Sequence, residues 1–174
     1  MDHCEECGYT YADHGTDSVA GEIAGLGARY RVRLAVPPGD AGRRAALLRR
    51  PVPEVWSAIE CGCHVRDVLL AQRERLFQAL VEPTPPFVPI YRDRRAVLAR
   101  YAEEDPERVA DAVDVAAHLI AWAFSGLAPT DWDRTCIHNF PEPAARSILW
   151  LAEHTLHEGE HHLGDIDRTI AAAG

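Results

Sequence analysis

The sequence contains no lysine, and all 18 of its basic residues are arginine. This bias is typical of a GC-rich genome and indicates no particular chemistry. The arginines are scattered or paired rather than aligned in a stripe, and 27 acidic residues give a net charge of −9. This distribution argues against a protein that binds nucleic acid.

The sequence also lacks any apolar run as long as a membrane span, and its first residues have no apolar signal-peptide core. We therefore expect a cytoplasmic protein with no membrane partner. It has only five cysteines in 174 residues, and a chain of this length can bury a sufficient core without disulfides. In a reducing compartment such cysteines are more often metal ligands or reactive groups than a disulfide framework.

Four long segments carry apolar residues at helical spacing and predict an all-α four-helix bundle. Asp105 is the predicted N-cap of the third helix, with Pro106 at its first position. A short helical piece is predicted around residues 94–102, and residues 36–54 and 127–143 are predicted connections. An irregular segment, residues 1–15, precedes a bundle domain, residues 16–174. The four predicted helices cover residues 18–35, 55–81, 106–125 and 143–172.

The most informative pattern is a group of histidines near the C-terminus, where four of the nine fall within nine residues. His157 and His161 are four residues apart, so on a helix their imidazoles point to the same side. Two nitrogens leave a divalent ion short of ligands, and His64 in another helical segment is the best third donor. Three histidines leave a coordination position open, as catalytic metal sites do. The alternative is a solvated, histidine-rich helix end.

The other histidines are weaker candidates for ligands at this site. His154 shares the face of the pair and could be a fourth ligand or line the cavity one turn away. His162 is rotated by about 100° from His161 and is predicted to lie at the surface or behind the ligands. His118 and His138 are interpreted as ordinary, partly buried histidines.

Several carboxylates accompany the predicted site, although each could also be a solvated helix residue. Glu158 is the candidate general base beside the ion. Asp67 or Asp165 could accept the second N–H of a metal-bound imidazole, as such ligands usually require. Glu60, one turn before the histidine of the second helix, could accept a proton from a thiol or from water. We take Glu158 and Asp67 as the candidate catalytic residues.

The cysteines raise two further alternatives. Cys4 and Cys7 form the first half of a zinc-knuckle pattern whose second Cys-x-x-Cys is missing, so His3 or His14 could complete a small zinc site. Otherwise the pair is a redox or vestigial motif. Cys61 shares the face of the second helix that carries the metal-binding histidine, and its thiolate could join the ion or act as a nucleophile.

Two stretches of the sequence resemble the DinB/YfiT-like superfamily of metal-binding four-helix bundles. One is Cys63-His64-Val65-Arg66-Asp67, and the other is His161-His162-Leu163-Gly164-Asp165-Ile166, where the family often has His-His-x-Gly-Gln-Ile. The resemblance extends from about residue 16 to the C-terminus. It departs from the family at Asp165 and in the N-terminal cysteine pair, which the basic family module lacks.

This resemblance implies a four-helix bundle with His64, His157 and His161 as ligands of one divalent ion. Zinc is the first choice of metal, with nickel or iron as alternatives. Family members include S-transferases and maleylpyruvate isomerases that use mycothiol, bacillithiol or glutathione. The expected function is therefore metal-dependent transfer of a small thiol to an electrophilic substrate, by a monomer or a homodimer. The alternatives are a non-catalytic, stress-associated metal-binding bundle and a zinc-dependent hydrolase.

Overall fold

A computed structural model describes residues 3–11, 13–139 and 142–173 of the chain. It contains six α-helices and one short β-hairpin, together with single 3₁₀ turns at Tyr101–Glu103 and Pro129–Asp131. In chain order the elements are α1 (Val19–Leu34), α2 (Ala41–Leu48), α3 (Ala58–Val81), α4 (Arg92–Leu98), α5 (Pro106–Ser125), β1 (Thr135–His138), β2 (Ala144–Ser147) and α6 (Ile148–Ala173).

The four long helices, α1, α3, α5 and α6, form the predicted four-helix bundle. Helix α1 packs against α5 and α6, and α3 packs against the same two helices, whereas α1 and α3 make only slight contact. Helices α1 and α3 are consecutive among the four long helices, and they therefore lie diagonally opposite each other in the bundle. Fully buried core residues come from all four helices and include Leu26, Tyr30, Leu69, Leu76, Val113, Ile120, Leu151 and Ile166.

Capping interactions define the N-terminal ends of two bundle helices. Asp105 caps α5, and its side chain accepts hydrogen bonds from two backbone N–H groups of the first turn, as predicted. Helix α3 begins at Ala58, because Ser57 and Glu60 form a capping box in which each side chain binds the backbone of the other. The predicted start of this helix at residue 55 is therefore three residues too early.

Two predicted connections contain regular structure. Helix α2 lies in the first of them and is capped by Asp40, whose carboxylate accepts from the backbone N–H of Arg43. The second contains the antiparallel hairpin, in which Thr135 pairs with Ser147. Helix α6 consequently begins at Ile148 rather than near residue 143. Both elements are too short for apolar periodicity to distinguish them from loops.

Within the described ranges, no helix combines the length and the apolar character that crossing a membrane would require.

Residues 3–11 fold into a tight turn that packs on α6. His3 and Thr10 form an antiparallel bridge, and the backbone N–H of Cys4 donates to the carbonyl oxygen of Tyr9 at 2.8 Å. The Tyr9 hydroxyl in turn donates to the backbone carbonyl of Glu153 at 3.0 Å. The N-terminal segment is thus attached to the last helix of the bundle, and its treatment as a separate segment stays a prediction.

Candidate metal centre

Helix α6 carries two pairs of potential ligands that are offset by one residue, His157 with His161 and Glu158 with His162. Residues four apart share a face of a helix, and a one-residue offset turns the second pair by about 100° from the first. The two pairs therefore point at different neighbours. The structure places Glu158 and His162 beside α3, and it places the other pair beside the N-terminal segment.

The first group, here called the bundle group, consists of His64, Glu158 and His162. One ligand atom from each lies within 4.8 Å of the other two. Nε2 of His64 is 3.6 Å from Oε2 of Glu158, and the rings of His64 and His162 meet edge to face with centroids 4.9 Å apart. Nδ1 of His64 is buried and has no hydrogen-bond partner among the described residues. A buried polar atom of this kind is one that an ion or an ordered water would satisfy.

Asp165 orients one member of the bundle group. Its Oδ2 lies 2.7 Å from Nδ1 of His162, and its other oxygen accepts from Arg168. When Nδ1 of His162 donates its proton to this carboxylate, Nε2 keeps a lone pair for a metal ion. Asp165 thus occupies the orienting position that the sequence suggested for it or for Asp67, although it acts on His162.

The electrostatics of this region favour the protonation state that a metal site needs. Burial alone would raise the pKa of Glu158, but the neighbouring His64, His154 and His162 lower it well below its ordinary value. Burial lowers the pKa of His64 and lowers that of His154 to about 4. An ionised Glu158 carboxylate therefore lies beside His64 and His154, whose imidazoles are neutral near neutral pH, as metal coordination requires.

A cavity of about 240 Å³ opens beside the bundle group, and His162, Trp56 and Arg168 contribute to its wall. The ring of Trp56 lies 5.1 Å from that of His64, centroid to centroid, and the guanidinium carbon of Arg92 lies 5.7 Å from the centroid of the Trp56 ring. The bundle group therefore has an aromatic side chain against His64 and a cavity beside His162.

The second group, here called the N-terminal group, consists of Cys4, Cys7, His157 and His161. Their four ligand atoms also lie within 4.8 Å of one another. Sγ of Cys4 is 3.8 Å from Nδ1 of His161. Nδ1 of His157 is 2.9 Å from the hydroxyl of Tyr11, and Nε2 of the same ring is buried without a hydrogen-bond partner in the described part of the chain.

The structure therefore does not bring the predicted set of His64, His157 and His161 into one group. His162, predicted to lie at the surface or behind the ligands, is only 7% exposed and faces His64. A sequence signal could have located it. His162 is four residues before Ile166, a core residue with no exposure, so it shares the core-facing side of α6, and His161 is turned away by about 100°.

The structure also places the three other histidines that were weighed for the site. His154 lies beside the bundle group, with Nε2 3.8 Å from Oε1 of Glu158 and Nδ1 2.8 Å from the Tyr11 hydroxyl. His138 packs edge to face on His154, with ring centroids 4.9 Å apart. His118 is exposed on α5, where it interacts with Asp114, rather than partly buried as expected.

His3 and His14, the predicted partners of the N-terminal cysteines, have other contacts. Nδ1 of His3 lies 3.2 Å from the hydroxyl of Thr10, and His14 pairs with Glu22 at 2.9 Å. The cysteines instead face two histidines that lie about 150 residues further along the chain.

Asp67, a predicted catalytic residue, lies in a network of its own. Its carboxylate accepts from the Tyr101 hydroxyl at 2.6 Å and from Arg66 at 2.9 Å, and it also pairs with Arg95. Burial alone would raise its pKa, but these donors lower it below the ordinary value. These contacts connect α3 to α4 and to the 3₁₀ turn after it, which favours a structural role.

Glu60 and Cys61 also have placements that bear on their suggested chemistry. Glu60 is bound by the Arg50 guanidinium and by the cap of α3, so both of its oxygens are engaged. Cys61 lies in a group with His162 and Asp165, but it is buried, and burial raises the pKa of its thiol. A protein thiol with a raised pKa is a poor nucleophile.

Comparison with known proteins agrees with this architecture. The profile of the DinB superfamily matches residues 43–166, a range that includes all three residues of the bundle group. No curated protein matches the chain.

Among solved structures, the chain is similar to YfiT from Bacillus subtilis, described as a probable metal-dependent hydrolase with an unusual four-helix bundle topology. The TM-score is 0.77 at 14% sequence identity, over 92% of this chain and 91% of that one. At this identity the likeness concerns the fold, including the bundle with its long helices. Since the family profile spans more than half of the sequence, the chain belongs to the DinB superfamily.

Proposed function

We propose that the protein is a divalent-metal-dependent enzyme whose ion is held by His64, Glu158 and His162. The observation that carries this proposal is the convergence of these three side chains from α3 and α6 within 4.8 Å of one another. Two imidazoles and one carboxylate suit zinc, and they also accept nickel or iron. The orienting contact of Asp165 with His162 fits such an ion.

The number of ligands favours catalysis over a purely structural role. Structural zinc sites are closed by four protein ligands, whereas catalytic sites use three, including the His₂Glu set, and leave a position for substrate or water. We propose that a small substrate reaches that position from the cavity that has His162 in its wall.

We further propose that the nucleophile is a low-molecular-weight thiol, such as mycothiol, which is transferred to an electrophilic substrate. A bound divalent ion lowers the pKa of a coordinated thiol or water. Glu158 belongs to the ligand set, and Asp165 is engaged by His162 and Arg168. These two carboxylates are thus unavailable as a general base, which favours a thiol that ionises without one.

Hydrolysis is the second candidate, and a specific observation favours it. The His₂Glu donor set is one that zinc hydrolases use, and the structurally similar YfiT is described as a probable metal-dependent hydrolase. In this case Glu158 remains a ligand, and His154, 3.8 Å from it, is the neighbouring histidine outside the ligand set.

One experiment separates these activities. Protein purified without a histidine tag is stripped of metal, reloaded with zinc, and assayed for consumption of mycothiol, bacillithiol and glutathione with a panel of soft electrophiles. A parallel assay uses esters and amides without thiol. We expect metal-dependent thiol consumption that is lost in His162→Ala and retained in His118→Ala, which changes an exposed histidine on α5. Metal-dependent hydrolysis alone would support the second candidate, and no metal-dependent turnover in either assay would refute an enzymatic role.

A further inference from the structure

We propose that Cys4, Cys7, His157 and His161 form a second, closed zinc site that fixes the N-terminal segment to α6. This site is separate from the bundle group, and it does not depend on any enzymatic activity. The inference rests on three observations: the conformation of the cysteine turn, the spacing of the four ligand atoms, and the hydrogen bonding of His157.

The turn that carries the cysteines has the shape of a metal-binding knuckle. Gly8 follows Cys7 directly and has a φ of +76°, in the left-handed region that favours glycine. Its backbone N–H donates to the carbonyl oxygen of Cys4 at 2.8 Å, and the backbone N–H of Tyr9 donates to Cys7. The turn thus holds both sulfur atoms beside the same two histidines of α6.

The spacing of the four ligand atoms is close to that of a tetrahedral zinc ion. Bonds of about 2.3 Å to sulfur and about 2.0–2.1 Å to nitrogen place neighbouring ligand atoms roughly 3.3–3.8 Å apart. Sγ of Cys4 and Nδ1 of His161 are 3.8 Å apart, and all four atoms lie within 4.8 Å of one another. Small side-chain rotations are sufficient to close the set around an ion, because the backbone of the turn and that of α6 are already adjacent.

The hydrogen bonding of His157 prepares it as a ligand. Its ring is 8% exposed, and the hydroxyl of Tyr11 meets Nδ1 at 2.9 Å. Tyr11 is itself held by stacking on Trp150, with ring centroids 5.8 Å apart. With Nδ1 occupied in this way, the buried and unpartnered Nε2 of His157 is the atom left to bind a metal.

The composition of the group indicates a structural ion. Two thiolates and two neutral imidazoles balance the charge of Zn²⁺, and four protein ligands leave no position for a substrate. A Cys-x-x-Cys redox pair is the alternative use of the same sulfurs. That alternative gives no role to His157 and His161, whereas zinc uses all four groups.

The test isolates the N-terminal group in the His162→Ala variant, which lacks a ligand of the bundle group. X-ray absorption at the zinc edge of this variant is expected to show two sulfur and two nitrogen neighbours. If the variant does not fold, the wild-type protein serves instead, and sulfur neighbours at zinc must still be present. A zinc environment of nitrogen and oxygen alone would overturn the proposal.

A second arm uses cysteine variants and counts zinc in the full chain. Cys7→Ser is expected to bind one zinc fewer per chain than the wild type, whereas the control Cys136→Ser, which changes a buried cysteine of β1, keeps the wild-type content. Limited proteolysis is expected to cleave residues 3–11 faster in Cys7→Ser. Equal zinc content in the two variants, or a Cys4–Cys7 disulfide in protein purified without oxygen, would contradict a zinc site here. Neither arm measures catalysis, so failure of the proposed activity leaves this test intact.

Discussion

Replacing Gly159 with alanine tests whether α6 must approach α1 closely to hold its ligands in place. A Cβ at this position would lie 2.9 Å from Cδ2 and 3.2 Å from Cγ of Leu26, and it would be closer still to Cδ1. Leu26 has no exposure, so its side chain has no free space to move into. Helix α6 would have to shift away from α1, and Glu158 and His162 would shift with it.

Two opposing effects set the size of the change. Alanine in place of glycine favours a helix by about 1 kcal/mol, whereas overpacking a filled core costs about 1–3 kcal/mol. Because the contact is deep and Leu26 is fully buried, we expect Gly159→Ala to lower the free energy of unfolding by about 1–2 kcal/mol. The control is Gly25→Ala on α1, where a Cβ would meet nothing within 4 Å, and it should raise that free energy by up to about 1 kcal/mol.

The assay is urea unfolding followed by helical circular dichroism, with chelator present so that metal binding does not contribute to stability. The two variants should differ by about 1–3 kcal/mol, and zinc should bind more weakly to Gly159→Ala than to Gly25→Ala. If both substitutions stabilise the protein equally, the close approach of α6 to α1 is not required, and the argument fails.

Three further predictions follow from single contacts. Glu60→Gln should destabilise the protein by about 1–3 kcal/mol at neutral pH. Arg50 holds the pKa of Glu60 below its ordinary value, so the wild type should lose this stability as the pH falls through that lowered pKa. Unfolding measured as a function of pH should therefore show the stabilities of the wild type and the variant converging there. A constant difference down to that pH would contradict this. Asp165→Asn should weaken metal binding at His162 by about 10–100-fold in a competition titration, while unchanged affinity would show that the orienting contact is unimportant. If the nucleophile is a low-molecular-weight thiol, as proposed, Cys61→Ser should leave most thiol-transfer activity intact, and a complete loss in a folded variant would make Cys61 a reacting group.

The parts of the fold that were predicted from the sequence are those governed by local physics. The core of α3, α5 and α6 follows from apolar spacing, and the start of α5 follows from Asp105 and Pro106, because a cap and its helix are adjacent in sequence. The hairpin β1–β2 was missed since each strand has only four residues.

The two groups of candidate metal ligands show what the sequence could not predict. Residue spacing identified the two helical segments that carry the histidines, and it identified His157 and His161 as a pair on one face. The rotation of α6 about its axis, however, decides which of its two ligand pairs meets His64. That rotation depends on how α6 packs against α1 and α3, although the apolar position of Ile166 carried part of the information. The approach of Cys4 to His161 joins residues that are 157 positions apart, and no local pattern encodes such a contact.

The one-residue offset between the two ligand pairs of α6 has a thermodynamic consequence. Both groups take ligands from the same helix. An ion bound by His157 and His161 would limit the rotation of α6. Glu158 and His162 would then lose less conformational entropy when a second ion binds. The second ion would then bind more tightly in the presence of the first. By linkage, the first ion would also be retained more strongly in the presence of the second, and the two sites would fill and empty cooperatively without any contact between the ions.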